Sequence, residues 1–149
     1  MANIRGERTV EIAAPLQRCY DIAADIRRAP EWQGSLKEVD VIERDADGRA
    51  TLVDTESDAK VKTVKSTLRF SYDPPRRIDW EQERGEVKSL HGWWVFEDLG
   101  ETRTRATYGL DADPGRMLGM LLRGPVEASV RDFLLGGAAE GLKQQAEAP

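Results

Sequence analysis

GRMLGMLLRGPVEASVRDFLLGGAAEGLKQQAE, residues 115–147, carries apolar side chains at helical spacing along its length. Met117, Leu118, Leu121 and Leu122 are followed by Val126, Val130, Phe133, Leu134 and Ala138. This predicts one long amphipathic helix. It is interrupted once, at Gly124-Pro125, because a proline removes a backbone hydrogen bond and clashes with the turn before it. Between Leu36 and Asp111 the chain instead shows strand after strand. A single long helix after an antiparallel meander must bury its apolar stripe on that sheet. Where the sheet curls around the helix, a pocket forms between them, so a small-molecule binding domain is the leading expectation.

Working outward, Asp113 is a suitable N-cap for the long helix and Pro114 suits its first position. Segments 36–44, 49–57, 60–72, 76–84, 88–98 and 102–111 have strand patterning. Turn signals separate them at Asp45-Ala46-Asp47-Gly48, Asp73-Pro74-Pro75 and Leu99-Gly100-Glu101. Such short connections imply antiparallel neighbours. At the other end, Val10 and Ile12 alternate with Thr9 and Glu11, which predicts a strand over about 8–13. Leu16, Cys19, Tyr20 and Ala23 follow at i, i+3, i+4 and i+7, an amphipathic helix over 15–24 behind Pro15. Asp25 is placed to cap a second short helix running towards Trp32, limited in length by Pro30. The resulting order is β-α-α-β6-α, one α+β domain over 1–149 with its core at about 7–147.

Composition narrows the class. Hydrophobic residues are 40% and charged residues 33%, the balance of a soluble globular chain rather than a disordered or membrane-embedded one. No run approaches the 18 apolar residues of a membrane span, and Met1–Arg8 has no apolar leader core, so a cytoplasmic location is expected. The net charge of −5 argues against DNA as a partner. The single cysteine, Cys19, excludes an intrachain disulfide and a cysteine-based zinc site, and its place in a helix predicts a buried thiol. No metal-ligand cluster, Gly-x-Gly-x-x-Gly run or P-loop is present, so no metal or cofactor is expected.

Four segments carry a family resemblance: Val10-Glu11-Ile12-Ala13-Ala14-Pro15; the stretch Asp25 to Trp32; Gly92-Trp93-Trp94-Val95-Phe96 with Glu101-Thr102-Arg103; and the closing helix ending in Gly141-Leu142-Lys143. In order and spacing they resemble the START-like, Bet v 1-like (SRPBCC) superfamily, and within it the polyketide cyclase/dehydrase and coenzyme Q-binding branch. The resemblance implies a helix-grip fold, in which a curved antiparallel sheet of about seven strands wraps around the long C-terminal helix. It implies a cavity between them for hydrophobic ligands such as lipids, quinones or polyketides.

Alternation assigns faces to the strands. Leu90, Gly92, Trp94 and Phe96 share one face, and His91, Trp93 and Val95 the other. Thr104, Ala106, Tyr108 and Leu110 share a face; Ile78 and Trp80 lie with Gln82. Taking the apolar faces as concave, and adding Leu68 and Phe70, the expected ligand contacts are Leu68, Phe70, Ile78, Trp80, Trp94, Phe96, Ala106 and Tyr108. Gly92 and Ala106 remove volume beside Trp94 and Tyr108, which leaves room for a ligand. Trp32 is a candidate gate, with packing under the second helix as the alternative. Met117, Leu118 and Leu121 are expected at the mouth, and residues 115–123 form a candidate lid.

Catalysis would need two polar groups facing inward. The resemblance implies aldol closure and dehydration promoted by arginine, tyrosine and acidic or hydroxyl groups. The candidates are Asp54, Glu56, Tyr72 and Tyr108, with a solvated rim as the alternative place for the two carboxylates. Arg69, Arg76, Arg77 and Arg84 fall on the outer face or at strand ends, and His91, the single histidine, faces away from the concave side. Between Lys60 and Arg77 six basic residues stand against Asp73 alone. This stripe is either a solvated edge or a contact for RNA or an anionic membrane surface. Three functions follow: carriage of a hydrophobic small molecule, polyketide cyclase/dehydratase chemistry without metal, and macromolecular docking through the stripe.

Overall fold

The computed structural model of the chain describes residues 3–149. Met1 and Ala2, part of the segment read for a leader, lie outside the described residues. The order is β1 (Ile4–Ile12), α1 (Leu16–Ala24), a 3-10 segment (Ile26–Glu31), β2 (Leu36–Arg44), β3 (Ala50–Asp58), β4 (Thr63–Asp73), β5 (Arg77–Gly85), β6 (Ser89–Gly100), β7 (Arg103–Asp113), α2 (Gly115–Leu121) and α3 (Pro125–Glu147). All seven strands form one antiparallel sheet in the order β1-β7-β6-β5-β4-β3-β2. The long helix α3 lies along β1 and β7 and against α1, the helix-grip arrangement.

Cross-strand register explains the core. One lateral row runs Phe70, Trp80, Gly92, Leu110; the next runs Tyr72, Ile78, Trp94, Tyr108. Their inward side chains meet ring to ring: Trp80 stands 5.5 Å from Phe70 and 5.6 Å from Tyr108, and Trp94 stands 4.8 Å from Tyr108. The α1 end of this surface is filled. Tyr20 meets Phe96 edge-on at 5.8 Å, and Cys19, Ala138, Ala139 and Leu142 are fully buried there. Polar ties hold that end shut. Arg18 Nε donates to the Ala146 carbonyl at 2.7 Å, Lys143 Nζ to the Glu11 carbonyl at 2.7 Å, and the Ala13 N–H to Glu147 Oε2 at 2.8 Å. Gly141 brings α3 directly against the Trp32 carbonyl, where a Cβ would overlap the oxygen.

The structure corrects several expected boundaries. β1 begins at Ile4, and β4 begins at Thr63 because Ala59–Lys62 turns, with Lys60 at φ 67°. The second helix is a 3-10 segment with Pro30 inside it, and the Asp25 side chain makes no cap hydrogen bond. Pro114, not Asp113, is the N-cap of α2; the Asp113 carboxylate accepts the Gly115 N–H at 2.9 Å instead. The predicted break at Gly124-Pro125 is present. Gly124 has φ 59°, Gly115 has φ 79°, and both values suit glycine. The closing segment is thus a short α2 between two glycines, followed by a 23-residue α3.

Candidate functional site

A cavity of about 140 Å³ lies between the sheet and the α2–α3 segment. Two unlike walls form it. Phe70, Trp80, Trp94 and Tyr108 from β4–β7, with Trp32 6.2 Å from Trp94, make an aromatic wall. Ser35, Thr55, Ser57 and Ser66 make a hydroxyl-bearing wall on the β2–β4 side. Thr55 Oγ1 donates to the Ser66 carbonyl at 3.1 Å, and Ser66 Oγ to Gln82 Oε1 at 3.0 Å. Gln82 Nε2 in turn holds the Val87 carbonyl at 2.9 Å, which fixes the β5–β6 turn at the rim. Leu118, Leu122 and Leu134 close the cavity from the helical side. Among the described residues no Asp, Glu, Lys, Arg, His or Cys lines it. The one titratable group among the described lining residues is the Tyr108 phenol, which burial pushes up to about 12, with the Gln33 side chain pulling the other way. That hydroxyl stays protonated at neutral pH, a donor rather than a base.

Of the expected ligand contacts, Trp32, Leu68, Phe70, Trp80, Trp94, Tyr108 and Leu118 line the cavity. Ile78, Phe96 and Ala106 do not; they are buried at or beside the end filled by α1. The space left by Gly92 is taken by the Trp80 indole, which lies on the glycine's Cα. Met117 and Leu121 are 85% and 52% exposed. The reason is helical phase. At 100° per residue, Leu118, Gly119 and Leu122 share the inner face of α2, while Met117, Met120 and Leu121 share the outer one. Asp54 and Glu56 also face out, because Val53, Thr55 and Ser57 take the inward positions of β3. Asp54 accepts a 2.6 Å hydrogen bond from Thr67 Oγ1, and both carboxylates border an outer groove with Lys37, Lys65 and Arg84. Tyr72 stacks on Phe70, its hydroxyl donates to the Ala50 carbonyl at 2.5 Å, and burial raises its pKa. It does not line the cavity. The hydroxyl wall was missed in the sequence. Its signal is the period-2 run Val53, Thr55, Ser57, Ala59 facing Val64, Ser66, Leu68, Phe70.

Three of the six cations of the basic stripe are paired. Lys62 pairs with Glu86 at 2.7 Å, Arg77 with Asp79 at 2.6 Å, and Arg69 with Glu83 and Glu43. His91 lies outside, 3.3 Å from Asp79 Oδ2 and against Trp93. Cys19 is buried beside the Ala14 carbonyl, and desolvation raises its pKa. Among the described residues no group of His, Cys, Asp or Glu is arranged to hold a metal ion, and no helix is long and apolar enough to cross a membrane.

The sequence model of the polyketide cyclase / dehydrase and lipid transport family matches residues 12–135. The chain belongs to this family. A START superfamily protein from Mycobacterium smegmatis shares its fold, with a TM-score of 0.83 at 19% identity over 96% of this chain and 97% of that one. The granaticin polyketide synthase bifunctional cyclase/dehydratase of Streptomyces violaceoruber is 31% identical over 103 residues, 67% of this chain. This chain spans only 31% of that protein's length. The ribosome association toxin RatA of Pseudomonas aeruginosa is 24% identical over 93% of this chain and 94% of that protein.

Proposed function

We propose that the protein binds and carries a neutral hydrophobic molecule with a compact ring, of the quinone, aromatic polyketide or lipid class, in the cavity between sheet and helix. The observation that carries this reading is a lining without any ionised side chain among the described residues. An unpaired charge buried there would lose its hydration for nothing, a penalty of several kcal/mol. The aromatic wall offers faces for stacking, and the hydroxyl wall offers partners for a carbonyl or hydroxyl edge. Size sets a further bound. A cavity of about 150 Å³ accepts a benzene-sized ring, whereas typical ligand pockets run to roughly 300–1,000 Å³. At 140 Å³ the closed cavity takes a single ring, and a bicyclic or longer ligand requires α2 to move. Titration calorimetry with 1-naphthol and 1-naphthoate tests the reading. Naphthol should bind at least about 100-fold more tightly, the equivalent of about 2.7 kcal/mol; equal affinities overturn it.

A second reading, cyclase/dehydratase chemistry, is favoured by the identity to the granaticin enzyme. Tyr108 is then the most acidic hydroxyl among the described lining residues and the one that gives a proton to a substrate carbonyl. Turnover of a poly-β-ketone thioester that disappears in Tyr108→Phe supports this reading; no turnover by the native protein removes it.

A further inference from the structure

The outer face of α2 is unlike the rest of this acidic protein. Met117, Met120 and Leu121 are 85%, 58% and 52% exposed, and Val126 at the start of α3 is exposed beside them. Large apolar side chains grouped on a short projecting helix are not explained by folding, because the inner residues Leu118 and Leu122 already supply the packing. Within the segment itself the charge is of one sign, with Asp113 and Glu127 just outside it. From Pro114 to Val126 the charged residues are Arg116 and Arg123 alone, and Lys88 packs against Gly115 at the base of the helix. No carboxylate lies within ion-pair distance of these three cations among the described residues. The nearby Glu127 is engaged by Arg131 through both oxygens, at 2.9 and 3.1 Å. The helix is loosely seated. It runs between Gly115 and Gly124, and a groove of about 190 Å³ separates Gly119 and Met120 from Ile4 and Glu127.

We infer that the α2 tip docks on an anionic lipid surface, with Met117, Met120 and Leu121 entering the acyl boundary and Arg116, Arg123 and Lys88 facing the head groups. An apolar helical face ringed by cations matches such an interface in both chemistry and sign. A second copy fits poorly, since a two-fold contact through this patch brings Arg116 and Arg123 close to their own counterparts. A folded partner would need a pocket for each projecting side chain, whereas acyl chains deform around them. The inner face of the same helix closes the cavity, so a tilted α2 connects bilayer and cavity without a step through water. Docking itself does not depend on what the cavity holds, and it fails or succeeds separately from the calorimetric test.

The experiment is co-sedimentation with vesicles of phosphatidylcholine containing 30 mol% phosphatidylglycerol (about 30%, a common anionic fraction), against pure phosphatidylcholine. The native protein should pellet with the anionic vesicles only, and less so as salt rises. Arg116→Gln with Arg123→Gln should weaken partitioning about 30-fold, from about 1 kcal/mol for each basic residue at such a surface. Met117→Ser with Leu121→Ser should weaken it at least about 10-fold. All four residues are exposed, so unchanged thermal unfolding confirms that the variants remain folded. Native protein left in the supernatant overturns the inference. So do variants that pellet like the native protein, or a concentration-dependent dimer lost in Met117→Ser with Leu121→Ser.

Discussion

Replacing Gly92 by alanine tests the inner face of the sheet at its tightest point. In open space the change would favour folding, because glycine in a strand is about 0.5–1 kcal/mol worse than alanine. Here the added Cβ overlaps Nε1, Cε2 and Cζ2 of Trp80. To regain ordinary contact the indole must retreat by about 1 Å. Phe70 and Tyr108 flank the ring at 5.5 and 5.6 Å, so the retreat goes into the cavity. Overpacking of this kind costs about 1–3 kcal/mol. Set against the backbone gain, the net loss is about 0–2.5 kcal/mol, centred near about 1 kcal/mol. At roughly 2–4 °C per kcal/mol for a chain of this size, the central value lowers Tm by about 2–4 °C. Gly137→Ala is the control, since a Cβ there meets nothing within 4 Å on α3. It should gain about 1 kcal/mol and raise Tm by about 2–4 °C. Far-UV circular dichroism melts of both variants decide the matter, with 1-naphthol titration as a second readout. Gly92→Ala should also weaken naphthol, while Gly137→Ala should not. A Gly92→Ala protein stabilised by the full gain of an unobstructed site, about 0.5–1 kcal/mol, would mean that Trp80 does not lie on Gly92, and the packing of β5 against β6 would be wrong.

Tyr108 makes stability depend on alkaline pH. Its folded pKa, about 12, exceeds the ordinary 10, so the stabilisation is complete below pH 10 and is lost as pH rises towards 12, by about 2–3 kcal/mol. Melting curves from pH 9 to 12 should therefore fall more steeply for the native protein than for Tyr108→Phe; parallel curves refute this. Asp54→Asn and Glu56→Gln, being outside the cavity, should leave naphthol affinity within about two-fold of native by calorimetry. Backbone amides of Met117–Leu121 should exchange with solvent much faster than those of Val130–Leu142, as read by hydrogen-exchange mass spectrometry; equal protection would remove α2 as a lid.

The strand faces of β6 and β7 were legible because alternation is strict there: Trp94 and Phe96 against Trp93 and Val95, Tyr108 and Leu110 against Thr107 and Asp111. The helix break was legible because Gly124-Pro125 leaves few conformations open. The hydroxyl wall was not. Thr55, Ser57 and Ser66 look like solvent-facing residues in a one-dimensional pattern, and only the burial of Val53 and Val64 beside them fixes their side of the sheet. Nor was the extent of the cavity legible. Whether Phe96 and Ala106 touch a ligand or the core depends on how far α1 reaches along the sheet, a long-range contact made by Tyr20. The outward phase of Met117 and Leu121 had a signal in the sequence, since Leu118, Gly119 and Leu122 complete a separate face, but an apolar stretch this dense offers two stripes and the spacing alone does not choose between them.

The contact at Gly141 gives the molecule a fixed jaw. Because α3 touches the main chain of Trp32 with no side chain between them, that side of the cavity is set by backbone against backbone, and Trp32 cannot step aside without dragging the helix with it. Freedom is thereby confined to the opposite rim, where α2 hangs between two glycines. Any residue larger than glycine at 141 would act as a wedge driven in at the pivot: it would part Trp32 from Trp94 and spread the walls from the wrong end, so the protein would lose its grip on a ligand while the lid itself remained intact.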